Sequence, residues 1–172
     1  MPTIDVGGVE KNFIIISNYL SNKFKNISII TTSKEKRNKF EKNINFVTLN
    51  SLNTIFLNRR VKFFFGLILL SIHLLKKKNN LVLCFQANIY CVYVCKIFGA
   101  KVIIRSNSAP EGWSQNYFKK LIYKNALNSA DRVIVNSFEF KKSLKRKFNV
   151  KSICIYNPLN KFEVIKNSKK KN

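Results

Sequence analysis

Residues 81–106 read LVLCFQANIYCVYVCKIFGAKVIIRS. Leu81-Val-Leu-Cys-Phe85 is a continuous apolar run, the pattern of a strand covered on both faces. Asn88 to Phe98 reads as helix, stopped by Gly99. Lys101-Val-Ile-Ile-Arg105 is strand again. Two strands joined through a helix predict parallel pairing and a right-handed crossover.

The alternation continues on both sides. Downstream, Trp113 to Asn128 reads as helix, Arg132 to Val135 as strand, Ser137 to Phe148 as helix and Ser152 to Tyr156 as strand. Upstream, Phe13, Ile16, Leu20 and Phe24 recur at three- or four-residue spacing, which suits an amphipathic helix over Val9 to Phe24. Asn26 to Thr31 and Ile44 to Leu49 are short β-branched strands. The predicted class is therefore α/β, a Rossmann-like parallel sheet flanked by helices. The chain's 172 residues suit one domain, read as 1–160, and residues 161–172 read as a basic, disordered tail.

Arg59 to Lys78 needs separate weighing. Its stretch Phe63 to Leu75 is apolar nearly all round, yet 13 residues are too few to span a bilayer. Two readings stand: a helix covering the sheet, or one seated in a membrane interface. Arg59, Arg60, Lys62 and Lys76 to Lys78 would flank it in the second case. His73, inside the stretch, reads as a packed or rim histidine.

Composition removes several classes. A 46% hydrophobic and 13% aromatic content excludes a disordered or collagen-like chain. The formal charge of +24 invites a nucleic-acid reading, but only six of the 32 basic residues are Arg. Lys is a hydrated point charge, poorly suited to bidentate phosphate and base contacts. A solvated Lys-rich surface is the default, ahead of an anionic membrane or a phosphorylated substrate; nucleic acid comes last. The four Cys (84, 91, 95 and 154) include no CxxC pair and meet a single His, so no metal site is expected. They read as buried free thiols of a cytoplasmic protein, with no secretory signal at Met-Pro-Thr-Ile-Asp.

Gly7-Gly8 precedes the first helix, where backbone amides and the helix dipole favour an anion. Pro2-Thr-Ile-Asp-Val-Gly-Gly-Val-Glu10, a helix ending in Asn18-Tyr-Leu-Ser21, and an Ile-rich strand together resemble the opening of glycosyltransferase family 4. The likeness continues through Lys101-Val-Ile-Ile-Arg-Ser-Asn107 and Ala130-Asp-Arg-Val-Ile-Val-Asn-Ser137 to Ile155-Tyr-Asn-Pro158. It implies the N-terminal, acceptor-side domain of a GT-B enzyme, in which two Rossmann-like domains face each other across a cleft. Such enzymes transfer a sugar from a nucleotide-sugar to a saccharide or lipid-linked acceptor, usually with retention, without a cofactor or essential metal. The setting implied is cell-surface polysaccharide or glycolipid assembly, in the cytoplasm or on the inner face of the plasma membrane.

By that likeness Gly7 and Gly8 face the donor diphosphate and the acceptor. Arg105, Ser106 and Asn107 end one strand, and Asn136 and Ser137 the next, at the edge where α/β sheets place ligands. Asn107 stands where many relatives carry a His; its amide still offers a hydrogen bond to a sugar hydroxyl. No catalytic residue is assigned, and Glu10 reads as a helix-start residue. Two family features are missing from these residues: a strand before Pro2, and the second domain with its Glu-x7-Glu pattern. No Glu here has another Glu eight positions later. The expectation is a truncated or split enzyme, with Met1 an internal methionine of a longer frame, inactive without a separate C-terminal donor-binding chain. A non-enzymatic domain bound to anionic membrane or nucleic acid, and a gene remnant, remain the alternatives.

Overall fold

The structure, a computed structural model, describes residues 1–5, 7–49, 57–77, 80–86, 88–107 and 116–158. In chain order it contains α1 (Gly8–Ser21), β1 (Ser28–Ile30), a 3₁₀ helix (Lys34–Lys39), β2 (Asn45–Val47) and α2 (Arg59–Lys76). Then come β3 (Leu81–Cys84), α3 (Asn88–Ile97), β4 (Lys101–Ser106), α4 (Tyr117–Ser129), β5 (Arg132–Val135), α5 (Phe138–Phe148) and β6 (Ile153–Cys154). All pairing is parallel, in a two-stranded sheet β1-β2 and a four-stranded sheet β3-β4-β5-β6. The molecule is α/β, with parallel sheets flanked by helices, consistent with a Rossmann-like fold.

The predicted 81–106 unit sets the frame. Leu81 pairs with Lys101 and Cys84 with Ile104, so β3 and β4 run side by side beneath α3. Val92, Cys95, Val102 and Ile104 meet there with no exposure, each full burial contributing roughly 1.5–3 kcal/mol for an aliphatic side chain. Gly99 ends α3 at φ 65°, in the left-handed region that glycine adopts freely. Asn149 ends α5 in the same way at φ 55°. Asn58, Asn116 and Ser137 cap the starts of α2, α4 and α5, each side chain accepting from backbone N–H of the first turn.

The two helical layers follow from strand alternation. Val82 and Cys84 pack with α2 to α5 in the larger core, whereas Leu83 and Phe85 pack with α1 in the smaller one. Successive strand side chains point to opposite faces, so α1 lies on the other face from α2 to α5. Phe13 anchors the smaller core, edge-on to Phe40 and Phe85 at 5.7 and 5.1 Å.

Several expectations are corrected. The helix of the first segment ends at Ser21, and Phe24 lies beyond it, exposed instead of on the apolar stripe. Small polar residues, Ser17 and Ser21, take the buried positions beside Phe13. Leu81 is 62% exposed, so β3 is not covered on both faces at its start. The parallel strands form two sheets in place of one, because among the described residues no strand pairs with the facing edges of β1 and β3. Met1 to Asp5 bridge only the carboxyl ends of these strands, without regular structure. The Met1 amine donates to Ile30 O, Thr32 N donates to Pro2 O, and Thr3 Oγ1 donates to Gln86 Oε1. Burial lowers the pKa of that amine, with Cys84 and Cys91 opposing the shift. The tail assigned to 161–172 lies outside the described residues, as do Trp113 and the rest of 108–115.

Helix α2 divides the stretch Phe63 to Leu75 between a buried and an exposed side. Gly66, Leu69, Leu70 and Leu74 are buried, Leu70 and Leu74 in the larger core, while Phe64, Ile68, Ile72 and Leu75 are exposed. His73 is half-buried, and burial followed by Lys77 lowers its pKa. Gly66 permits the closest approach: a Cβ there would sit 2.9 Å from Pro2 Cβ and 3.3 Å from its Cα. Gly66→Ala forces α2 off the Pro2 backbone, and the expected cost is about 1–3 kcal/mol, read as a lower urea midpoint. A midpoint equal to or above that of the parent would contradict this packing.

Cys84, Cys91 and Cys95 are buried free thiols, and Cys154 is half-buried. A hydrogen bond with Cys91 and burial push the Cys84 pKa well up. The Cys84 hydrogen bond opposes the rise at Cys91, yet Cys95 and burial push it up to about 12. Such thiols stay protonated and unreactive at neutral pH. A colorimetric disulfide reagent at pH 7.5 is expected to label Cys154 alone in native protein, and all four thiols in denaturant. Rapid labelling of a second thiol in native protein would refute the enclosure.

Candidate functional site

Parallel α/β sheets gather ligands at the carboxyl ends of their strands, and polar residues gather there in this chain. Gln86 leaves β3 and accepts from Thr3 Oγ1 at 3.1 Å; its Nε2 donates to Glu10 Oε1 at 3.1 Å. Glu10 lies in the first turn of α1, which starts at Gly7-Gly8. On the other side Asn107 Nδ2 donates to Phe85 O at 3.1 Å and to Arg105 O at 3.3 Å. Asn88 Nδ2 also donates to Arg105 O, at 3.1 Å. Two sets of hydrogen bonds thus meet at the end of β3: one ties Gln86 to Thr3 and to Glu10 at the start of α1, the other ties Phe85 O through Asn107 to the end of β4.

The glycines have different surroundings. A Cβ at Gly7 would meet Glu10 Oε2 at 2.5 Å, so the residue leaves room for the carboxylate that binds Gln86. A Cβ at Gly8 would meet nothing within 4 Å, so the first residue of α1 borders open space. Its amides stand at the positive end of the helix dipole.

Arg105, Ser106 and Asn107 are consecutive in sequence but not in space. Ser106 shares a face with Ile104 and lines a cavity of about 110 Å³ with Asn88, Ile89, Tyr123 and Leu127, between β4 and helices α3 and α4. Arg105 points to the opposite face and is 2% exposed. Its Nη2 donates to Ile155 O at 3.0 Å, Tyr156 O at 3.4 Å and Asn157 Oδ1 at 2.9 Å. Among the described residues no acidic side chain pairs with it. Burial lowers its pKa, offset in part by Cys154.

Asn136 and Ser137 divide likewise. The register pairs Ser106 with Val135, which sets Asn107 and Asn136 beside each other one step further on. Ser137 Oγ accepts from Phe140 N at 3.2 Å as the cap of α5, which accounts for it structurally. The strand-end signal that sequence reading passed over is Gln86-Ala-Asn88, polar residues directly after an apolar strand.

Buried polar atoms without partners concentrate at this edge. Asn88 Oδ1, Arg105 Nε and Asn136 Oδ1 are three of the four found among the described side chains; Ser152 Oγ is the other. Each costs about 1–3 kcal/mol when left unmet. Carboxylates are scarce here, and among the described residues no group of three or more His, Cys, Asp or Glu is arranged to hold a metal ion. The chemistry on offer is hydrogen bonding by neutral amides near a buried cation and a helix N-terminus, which suits hydroxyl-rich or anionic small molecules. Protein-family models give no match to the chain, and a search of curated proteins returns no relative.

Arg105 ties the segment after β6 to the sheet. Arg105→Met removes a buried charge together with its bonds to exposed carbonyls, so global stability is expected to move by less than about 1 kcal/mol. The local effect is larger: hydrogen exchange at residues 155–157 should quicken at least tenfold. Unchanged exchange there would show that Arg105 does not hold the segment.

Proposed function

We propose that this chain is the acceptor-side half of a GT-B sugar transferase of the family 4 type. It would act with a separate donor-binding domain, truncated or split from it, on a nucleotide-sugar. The acceptor is a saccharide or lipid-linked saccharide of cell-surface polysaccharide or glycolipid assembly, reached from the cytoplasm at the inner face of the membrane. The observation that carries the reading is the end of β3, which is bonded on one side to the Gly7-Gly8 helix start, Gln86 to Glu10, and on the other to Asn107 through Phe85 O. It brings an anion-favouring helix end within one strand of an amide suited to sugar hydroxyls.

The division of labour follows from charge. A leaving nucleoside diphosphate needs its developing charge stabilised, and this edge supplies backbone amides and neutral side chains together with the Glu10 carboxylate, which cannot do so. Arg105, committed to residues 155–157, secures the segment leading out of β6 and does not face the leaving group. Asn107 and Asn136 orient the acceptor and the transferred sugar. A donor domain would supply the remaining cations.

Purified chain alone is expected to transfer no radiolabelled sugar from any common nucleotide-sugar to membrane-extracted acceptors. Co-expression with a polypeptide carrying the donor domain should restore transfer. Asn107→Ala should then reduce it about tenfold or more while leaving thermal stability within about 1 kcal/mol. Transfer by the single chain, or full activity of the Asn107 variant in the pair, would overturn the assignment.

A further inference from the structure

Helices α2, α3 and α4 lie side by side over the four-stranded sheet. Each turns apolar side chains outward. On α2 these are Phe64, Ile68, Ile72 and Leu75. Helix α3 adds Tyr90, Tyr93 and Ile97, and α4 adds Tyr117, Phe118, Leu121 and Ile122. These are 11 of the 18 large exposed hydrophobic side chains among the described residues. Scattered exposure of single apolar residues is ordinary; a gathering on three neighbouring helices marks an interaction surface.

The charges on the same helices select the occupant. Their 41 residues (18, 10 and 13) include no Asp or Glu. They do include Arg59, Arg60, Lys62 and Lys76 on α2, and Lys119, Lys120 and Lys124 on α4. Lys96 of α3 pairs with Asp131 at 3.0 Å. A second copy of the chain would set these cations against their own kind, which opposes association. A nucleic acid would meet the cations but leave the aliphatic strip of α2 without a partner. An anionic bilayer answers both: acyl chains take the Ile, Leu and Phe side chains, Tyr rings lie at headgroup level, and lipid phosphates meet Lys and Arg.

We propose that the outer face of α2, α3 and α4 is a docking surface for anionic lipid bilayers, on which the chain lies flat without spanning. No helix among the described residues is long and apolar enough to cross a membrane. The inference deepens the membrane-peripheral setting proposed above and rests on that setting, but on no step of sugar transfer.

The test is flotation of the full chain with vesicles of phosphatidylcholine and phosphatidylglycerol (about 7:3), and with phosphatidylcholine alone. Binding is expected to the anionic vesicles only, and to weaken as salt rises. The triple variant Phe64→Ser, Ile68→Ser, Leu121→Ser should lower partitioning at least tenfold. Lys119→Gln, Lys120→Gln, Lys124→Gln should weaken it severalfold more than Lys23→Gln, Lys25→Gln, Lys42→Gln, which removes equal charge near α1 and the 3₁₀ helix. Equal loss in the two charge variants, or none in the apolar variant, would overturn the proposal. Hydrogen exchange of the parent chain with vesicles avoids any folding defect of variants. Protection confined to 59–76, 88–97 and 117–129 supports the face; protection elsewhere, or none, refutes it. Light scattering that shows a dimer abolished by the apolar variant would assign the face to a second copy instead. Sugar transfer by the paired chains is scored separately, so either reading can fail without the other.

Discussion

The β3–β4 pairing beneath α3 holds the rest of the molecule in place. Val92 and Cys95 close over Val102 and Ile104 with no exposure; β5 is added in register to β4, and β6 to β5. Asp131 secures the next crossover from outside the core: its Oδ2 accepts from Val102 N at 2.8 Å and from Lys96 Nζ at 3.0 Å. Those bonds hold the carboxyl below its usual pKa, the Val102 amide most of all. Because β4 is fixed from both sides, the ends of β3, β4 and β5 fall at one level. That level is where Gln86, Asn107 and Asn136 emerge.

Much of this is legible in the sequence. The 81–106 segment declares itself because its strands are apolar and β-branched, and because Gly99 interrupts the helix where the turn needs a positive φ. Ser137 and Asn149 mark both ends of α5 by local chemistry alone. What stayed illegible depends on long-range pairing. Lys34–Lys39 carries no apolar periodicity, and its 3₁₀ turn leads into a loop that Arg37 latches through the carbonyls of Phe40, Glu41, Lys42 and Ile44. The break between β1 and β3 is likewise a property of neighbours far apart in sequence. Leu81 reads as core by composition and is exposed because the strand lies beside that break.

The candidate edge was legible in part for a simple reason. Sequence places a residue at a strand end, but alternation decides which face it serves. Arg105 and Ser106 are neighbours in sequence but serve opposite faces: one is enclosed beside residues 155–157, the other beneath α4. Gly7 and Gly8 adjoin at the start of α1, but their surroundings differ, the first making room for Glu10 and the second bordering open space. Gln86 was missed because a single Gln after a strand has no signature apart from the partners, Thr3 and Glu10, that folding brings to it.

The charge and the exposed apolar surface bear on each other. A net +24 opposes self-association over distances of a Debye length, and that repulsion allows apolar side chains to remain outside without pairing copy to copy. The same cations are no barrier to a surface of opposite sign. Apolar exposure on α2, α3 and α4 is therefore compatible with solubility while no anionic surface is near. It becomes favourable once one is, since contact then satisfies both the charge and the hydrophobic term. The polar groups at the carboxyl edge stand on strand ends and α1, away from the apolar outer face of α2, α3 and α4. The sheet can thus present hydrogen-bonding groups along its edge while its helical layer rests against a boundary.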